Sequence, residues 1–121
     1  MIAIISPAKS LNFESNAPTD IGTSPLFLKE ADYLAGKLGK LNSSKLGTLL
    51  YVSPKLAQLN AERYASWKTA TSKQAIYAYD GDVYDGLQAK TFSNQEIEFA
   101  QNHLLIISGL YGLLQPLDLR N

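Results

Sequence analysis

Residues 93–109, with the sequence SNQEIEFAQNHLLIISG, contain the pattern that decides the fold of this 121-residue chain. Ser93 and Glu96 have the spacing of a capping box, in which each side chain accepts a hydrogen bond from the other residue's backbone N–H. A helix is therefore expected from this point. The aliphatic run at 104–107 follows it directly and predicts a buried strand, which Ser108 and Gly109 end.

Outward from this stretch, the sequence alternates between strand and helix signals. The isoleucine-rich run at 2–5 predicts a first buried strand, and the polar segment 6–24 with its two prolines predicts a long loop. Ser-Pro pairs at 24–25 and 53–54 are typical helix starts, and Asn42 offers a third cap. Apolar and aromatic residues alternate at 74–80, which predicts another strand.

The order strand, helices, strand, helix, strand favours an α/β or α+β fold. We expect a short, mixed, partly parallel sheet with flanking helices. With 121 residues, 45% of them hydrophobic, the chain is long enough for one domain with a core. Residues 113–121 contain four leucines and no terminating signal, so we expect residues 1–121 to be a fragment of a larger single domain.

The composition excludes several classes of site. There is no cysteine, which rules out disulfides, zinc-thiolate sites and a thiol nucleophile, and His103 is the only histidine. We therefore expect no metal site and no cofactor. No apolar run approaches the roughly 20 residues of a membrane span, and no basic region precedes the apolar start. These features predict a cytoplasmic protein without a membrane partner.

Charge is balanced over the chain, with 11 basic and 11 acidic residues, but it is unevenly distributed. Glu62 is the one acidic residue between positions 38 and 73, whereas acidic residues predominate from position 74 onward. Such asymmetry marks either a segment that meets an anionic partner or solvated helix faces. The basic residues of the first segment are Lys40, Lys45, Lys55, Arg63, Lys68 and Lys73.

The segment 46–64 resembles a helix-hairpin-helix element, although Tyr51 and Ser53 replace the two glycines of that pattern. A helix N-terminus presents free N–H groups and a positive dipole end, both of which suit a phosphate. Contacts of this kind bind DNA without reading its sequence. An ordinary helical hairpin with surface lysines is the alternative. The candidate DNA-binding residues are Lys45, Lys55, Arg63 and Lys68.

A second candidate site combines the loops that follow the first and last predicted strands. Ligands of open α/β sheets bind at such strand ends, so Ser6 and Lys9 could meet Ser108 and Tyr111 there. Tyr111 could stack on a base, and Asp82 could serve as an acid or base. The alternative is that these residues only form turns or pack in the core. The three carboxylates at 80, 82 and 85 lack the spacing of a calcium loop.

Four segments, in order along the chain, resemble the YaaA family of the peroxide stress response. The resemblance implies a protein that limits iron- and peroxide-dependent damage, binds DNA through a helix-hairpin-helix element and has no established catalytic activity. It also implies that residues 1–121 are an N-terminal portion, because family members are about twice as long. Gln115 stands where the family often has arginine. The segments are ISPAK (5–9), SPKLA with NA (53–61), GDVYDGLQA (81–89) and SGLYGL with PLD (108–118).

The leading hypothesis is a protein that binds double-stranded or distorted DNA independently of sequence, with Lys9 as a further phosphate contact. The rival is an enzyme acting on a nucleotide or nucleoside in a cleft between the loops Ser6–Lys9 and Ser108–Gly112. Its catalytic residues are not identified. A scaffold or interaction domain is the third alternative, and the oligomeric state is not predicted.

Overall fold

The computed structural model describes residues 1–121 and shows a mixed α and β protein. Two 3-10 helices, Trp67–Thr69 and Ala89–Thr91, accompany the α-helices. The helices are α1 (Leu28–Leu38), α2 (Ser43–Leu50), α3 (Pro54–Ala65), α4 (Ala75–Ala78), α5 (Asp82–Leu87) and α6 (Asn94–His103). The strands are β1 (Ala3–Ile5), β2 (Ser10–Leu11), β3 (Lys73–Gln74), β4 (Tyr79–Asp80), β5 (Leu104–Ser108), β6 (Gly112–Leu114) and β7 (Leu119–Arg120).

The main sheet has three strands in the order β1-β5-β6. β1 runs parallel to β5, with Ile5 opposite Ile106, and β6 runs antiparallel to β5, with Ser108 opposite Gly112. β2 pairs with β4 and β3 with β7 in two small antiparallel ladders. The expected mixed, partly parallel sheet with flanking helices is confirmed.

The larger core cluster covers one face of the main sheet. Ile106 and Leu114 from the sheet pack with Ala31 and Ala35 of α1, all of them fully buried. A second cluster joins α4 to Leu117 and Ala89, and the partly buried Ile97 of α6 packs against it. Burial of this apolar surface is the main favourable term in folding.

The expected strand at 74–80 is wrong. Two two-residue strands flank the single-turn helix α4 instead. The backbone N–H of Ala75 donates to the carbonyl of Asp118, and that of Ile76 donates to the carbonyl of Pro116. Both sets of alternating side chains are buried in this segment, so the pattern does not mark one exposed and one buried face.

Three of the four predicted helix starts are confirmed, with caps at Asn42, Ser53 and Ser93. The fourth is wrong, because α1 begins at Leu28 and no side chain caps it. Thr23 holds the preceding segment extended, since it exchanges backbone hydrogen bonds with residues 117 and 119. The longest helix, α3, has 12 residues, and no helix combines the length and apolar character that a bilayer span requires.

Candidate functional site

A cavity of about 590 Å³ opens where the loops after β1 and β5 leave the main sheet. Because these strands are parallel neighbours, both loops start at the same edge of the sheet. Helices α1, α2 and α3 form the opposite wall. We call this cavity the strand-end cleft; its lining residues are Pro7, Ala8, Lys9, Leu11, Leu34, Lys37, Leu38, Leu41, Leu49, Leu50, Val52, Asn60, Tyr64, Tyr79, Ser108, Gly109, Leu110 and Arg120.

The strand-end cleft is apolar with a positive rim. Its charged lining residues are Lys9, Lys37 and Arg120, and no carboxylate is among them. The Nζ atom of Lys9 donates a hydrogen bond of 2.9 Å to the carbonyl of Tyr51, which lies in the turn between α2 and α3. This bond joins the first strand-end loop to the helical hairpin. An anion entering the cleft would meet only positive side-chain charge.

Arg120 was not among the residues proposed from sequence. It is only 8% exposed, and its guanidinium lies over the rings of Tyr79 and Tyr111, at 5.1 and 5.2 Å from their centroids. Its Nη1 atom donates a hydrogen bond of 2.8 Å to the hydroxyl of Tyr79. A single arginine outside any motif gives no sequence signal, because its aromatic partners are distant in the chain.

Arg63 lies half-buried against the loop at 11–13 rather than on the open surface of α3. Its guanidinium stacks over Phe13 at 5.3 Å from the ring centroid, and its buried Nη1 atom has no hydrogen-bond partner. Burial lowers the pKa of Arg63, and the positive charge of Arg120 lowers it further. The structure therefore separates Arg63 from the exposed lysines of the hairpin.

Ser108 and Tyr111 organise the second strand-end loop. The buried Ser108 hydroxyl oxygen accepts hydrogen bonds from the backbone N–H groups of Leu110 and Tyr111, at 3.3 and 3.0 Å. Tyr111 is 1% exposed, and its hydroxyl accepts a hydrogen bond from the N–H of Asn121. Burial raises the pKa of Tyr111 to about 12. Because the ring is enclosed, it presents no face on which a base could stack.

Neither Ser6 nor Asp82 lines the strand-end cleft. The carbonyl of Ser6 accepts a hydrogen bond of 2.6 Å from the hydroxyl of Tyr84, whose pKa burial raises. Asp82 is exposed in the first turn of α5. The structure therefore does not bring the Asp82 carboxylate into the cleft, and no cluster of three or more histidine, aspartate or glutamate side chains is placed to hold a metal ion.

The α2–α3 hairpin consists of two packed helices and the three-residue turn 51–53. Tyr51 has φ 54° and ψ 49°, the left-handed conformation that favours glycine. The turn thus adopts glycine-like backbone geometry at a position where the helix-hairpin-helix pattern has glycine. The helices are close, since a Cβ atom on Gly47 would lie 3.0 Å from the Cβ of Ala57.

Each helix of the hairpin begins with a side-chain cap and an exposed lysine. The Asn42 side chain accepts a hydrogen bond of 2.8 Å from the N–H of Lys45, and the Ser53 hydroxyl accepts one of 3.2 Å from the N–H of Leu56. Lys45 and Lys55 lie in the first turns of α2 and α3, and neither first turn has an acidic residue. Lys68 is exposed further along, in the 3-10 helix.

Comparison with known proteins gives a consistent result. The sequence model described as peroxide stress protein YaaA matches residues 1–120. UPF0246 protein RSc2009 of Ralstonia nicotianae is 48% identical over 122 residues, which cover 98% of this chain and 48% of the relative. UPF0246 protein Bcep18194_A5551 of Burkholderia lata is 46% identical over 123 residues, covering 98% of this chain and 47% of the relative.

The chain therefore spans about half the length of the curated relatives that it matches. The family match extends over both strand-end loops, the hairpin and the last strand. Because the family model matches residues 1–120, the chain belongs to the peroxide stress protein YaaA family.

Proposed function

We propose that the chain acts in the peroxide stress response by binding DNA without sequence preference, through the α2–α3 hairpin. Membership of the family supports a role in peroxide stress. The observation that supports the DNA contact is the hairpin itself. Each of its two helices begins with a side-chain cap and an exposed lysine, and a turn with a left-handed residue joins the end of α2 to the start of α3.

The hairpin offers two sources of attraction for a phosphate. The positive dipole end and the backbone N–H of Lys55 favour an anion at the start of α3. Pro54 has no N–H there, and the Ser53 hydroxyl already accepts from the N–H of Leu56. Lys55 adds a full charge within the same turn, and Lys45 does so at the start of α2. Neither group reads a base, so the expected binding is sensitive to salt and indifferent to sequence.

Lys9 extends this positive surface toward the strand-end cleft. Its hydrogen bond to Tyr51 places an ammonium group at the hairpin turn itself. Lys68 is a further exposed contact, whereas the half-buried Arg63 contributes charge without a direct phosphate contact. A DNA backbone at the hairpin turn would therefore meet Lys55 and Lys9, and one that continues along α2 would meet Lys45 at the other end of that helix.

The test is a titration of the chain against duplex and bubble DNA at several salt concentrations. Replacing Lys45 and Lys55 together by alanine should weaken binding about tenfold at low salt and reduce the slope of log K against log salt by about 2. The matched control is the double alanine variant of Lys29 and Lys90, which removes the same charge from exposed positions outside the hairpin.

Equal loss in both double variants would mean that only net charge matters, and the hairpin contact would be wrong. Unchanged binding in the Lys45 and Lys55 variant would also contradict it. A preference for one duplex sequence over another of equal length would contradict the sequence-independent mode.

A second candidate function is the binding of a nucleotide in the strand-end cleft. The cationic rim without carboxylates and the apolar wall support it, since pockets for such ligands combine apolar walls with a few placed polar groups. The exposed Asp82 lies outside the lining, so binding has more support than turnover.

Calorimetric titration with a nucleoside 5′-monophosphate tests this candidate. Binding that is weakened in Lys9→Ala and Lys37→Ala but not in Lys29→Ala would support it. Absence of binding at millimolar nucleotide would exclude it.

A further inference from the structure

The main sheet has one face without any covering layer. Ile4 and Leu105 are opposite each other in the β1–β5 register, and Ile107 is opposite Leu113 in the β5–β6 register. They alternate with the core residues along each strand, so they point away from the core. We call this surface the outer sheet face; its residues are Ile2, Ile4, Leu105, Ile107 and Leu113.

The outer sheet face is aliphatic and accessible. Ile2, Ile4, Ile107 and Leu113 are 63%, 58%, 46% and 39% exposed, whereas Ile106 on the opposite face is fully buried. None of the five residues is polar or charged. Such a surface does not suit DNA, whose recognition requires cationic and polar side chains.

Parallel strand pairs are normally buried on both faces. The sheet is also small, with three strands against a typical five or six, and β1 is an edge strand with no neighbour beyond it. Contiguous exposed apolar patches mark surfaces that contact another protein surface, a ligand or a membrane.

We propose that the outer sheet face is the docking surface for the half of the family's length that this chain does not include. The relatives match 98% of this chain but only 47–48% of their own length. That remaining length is sufficient for a second layer of helices or strands. Packing it here would complete a single core, with the sheet as the middle layer. This inference is independent of the proposed DNA binding.

The absence of cysteine makes a direct test practicable. Single variants Ile107→Cys and Leu113→Cys are made in this chain and in a fusion that continues into the remaining half of the Ralstonia nicotianae relative, with cysteines of the added half replaced by serine. Leu26→Cys is the matched control, because Leu26 is 79% exposed outside the outer sheet face. The measurement is the rate of maleimide labelling in monomeric fractions whose circular dichroism shows a folded protein.

In this chain alone, all three cysteines should react at similar rates. In the fusion, the cysteines at 107 and 113 should react at least about tenfold more slowly, while the cysteine at 26 keeps its rate. Labelling of the Ile107→Cys fusion at the rate of the shorter chain would overturn the proposal. Protection in the shorter chain that increases with protein concentration would also overturn it, since a second copy would then be the occupant.

Discussion

The α2–α3 hairpin and the cluster around Arg120 are stabilised over very different distances along the chain. In the hairpin, the capping bonds join residues three positions apart, and only Leu46 and Ala57 are buried. The cluster consists of Arg120, the Tyr79 and Tyr111 rings beneath it, and Tyr84, whose ring stacks on Tyr79. Tyr84 donates to the carbonyl of residue 6, 78 positions away, and Arg120 donates to Tyr79, 41 positions away. Hydrogen bonds between near neighbours in the sequence therefore form the hairpin that we propose binds DNA. Contacts between residues far apart in the sequence form the wall of the cleft beside it.

The largest loss of stability is expected from Ile106→Ala, because Ile106 belongs to the same core cluster as Tyr79, Tyr84 and Tyr111. Ile106 is fully buried in the central strand, so its truncation should lower the free energy of unfolding by about 2–5 kcal/mol. Leu49→Ala on the hairpin should cost less than about 1 kcal/mol, because Leu49 is 57% exposed. Urea denaturation measures both. Similar losses at the two positions would contradict the distinction between core and hairpin.

An intermediate effect is expected at alkaline pH. Burial raises the pKa of Tyr111 to about 12 and also raises that of Tyr84, so the folded state retains their protons after the unfolded chain has released them. The contribution of these two tyrosines to the free energy of unfolding should therefore be fully present below about pH 10 and be lost as pH rises toward 12. For Tyr111 the loss should reach up to about 2–3 kcal/mol.

Urea denaturation between pH 9 and 12 measures this loss. The buried Lys73 acts in the opposite direction, since burial lowers its pKa and its unfavourable charge disappears as pH rises. Tyr111→Phe should flatten the alkaline decline, whereas Tyr33→Phe, at an exposed position of α1, should retain it. An identical decline in the Tyr111→Phe variant would show that Tyr111 is not a source of the decline.

The smallest effect is expected from Tyr51→Gly in the hairpin turn. Glycine relieves the left-handed backbone cost of about 1–2 kcal/mol but loses about 0.5–1 kcal/mol of chain entropy, so the variant should be slightly more stable, by about 0–1.5 kcal/mol. Tyr33→Gly, within α1, should instead be destabilised by about 1 kcal/mol. Thermal unfolding distinguishes them, and equal destabilisation would show that Tyr51 is not strained.

Sequence signals that act within a few residues predicted three of the four helix starts correctly, and the Ser24-Pro25 pair is the exception. The capping residues Asn42, Ser53 and Ser93 were identified because a cap and its N–H partner lie in one turn. The edge strand β1 and the central strand β5 followed from uninterrupted aliphatic runs. The family resemblance, which the family match bears out, rested on four short segments in order.

Only the tertiary structure decided which residues of those elements are buried, which of them stack and which face of the sheet stays uncovered. The alternating segment 74–80 is buried on both sides and forms strand, helix and strand instead of one continuous strand. The Tyr111 ring, which the sequence suggested as a stacking surface for a base, is enclosed in the core. Arg120 became part of the cleft through Tyr79 and Tyr111, and the outer sheet face became visible only once β1, β5 and β6 were placed side by side. Caps and strand runs depend on neighbouring residues, whereas burial, stacking and an uncovered face depend on residues that meet only in the folded chain.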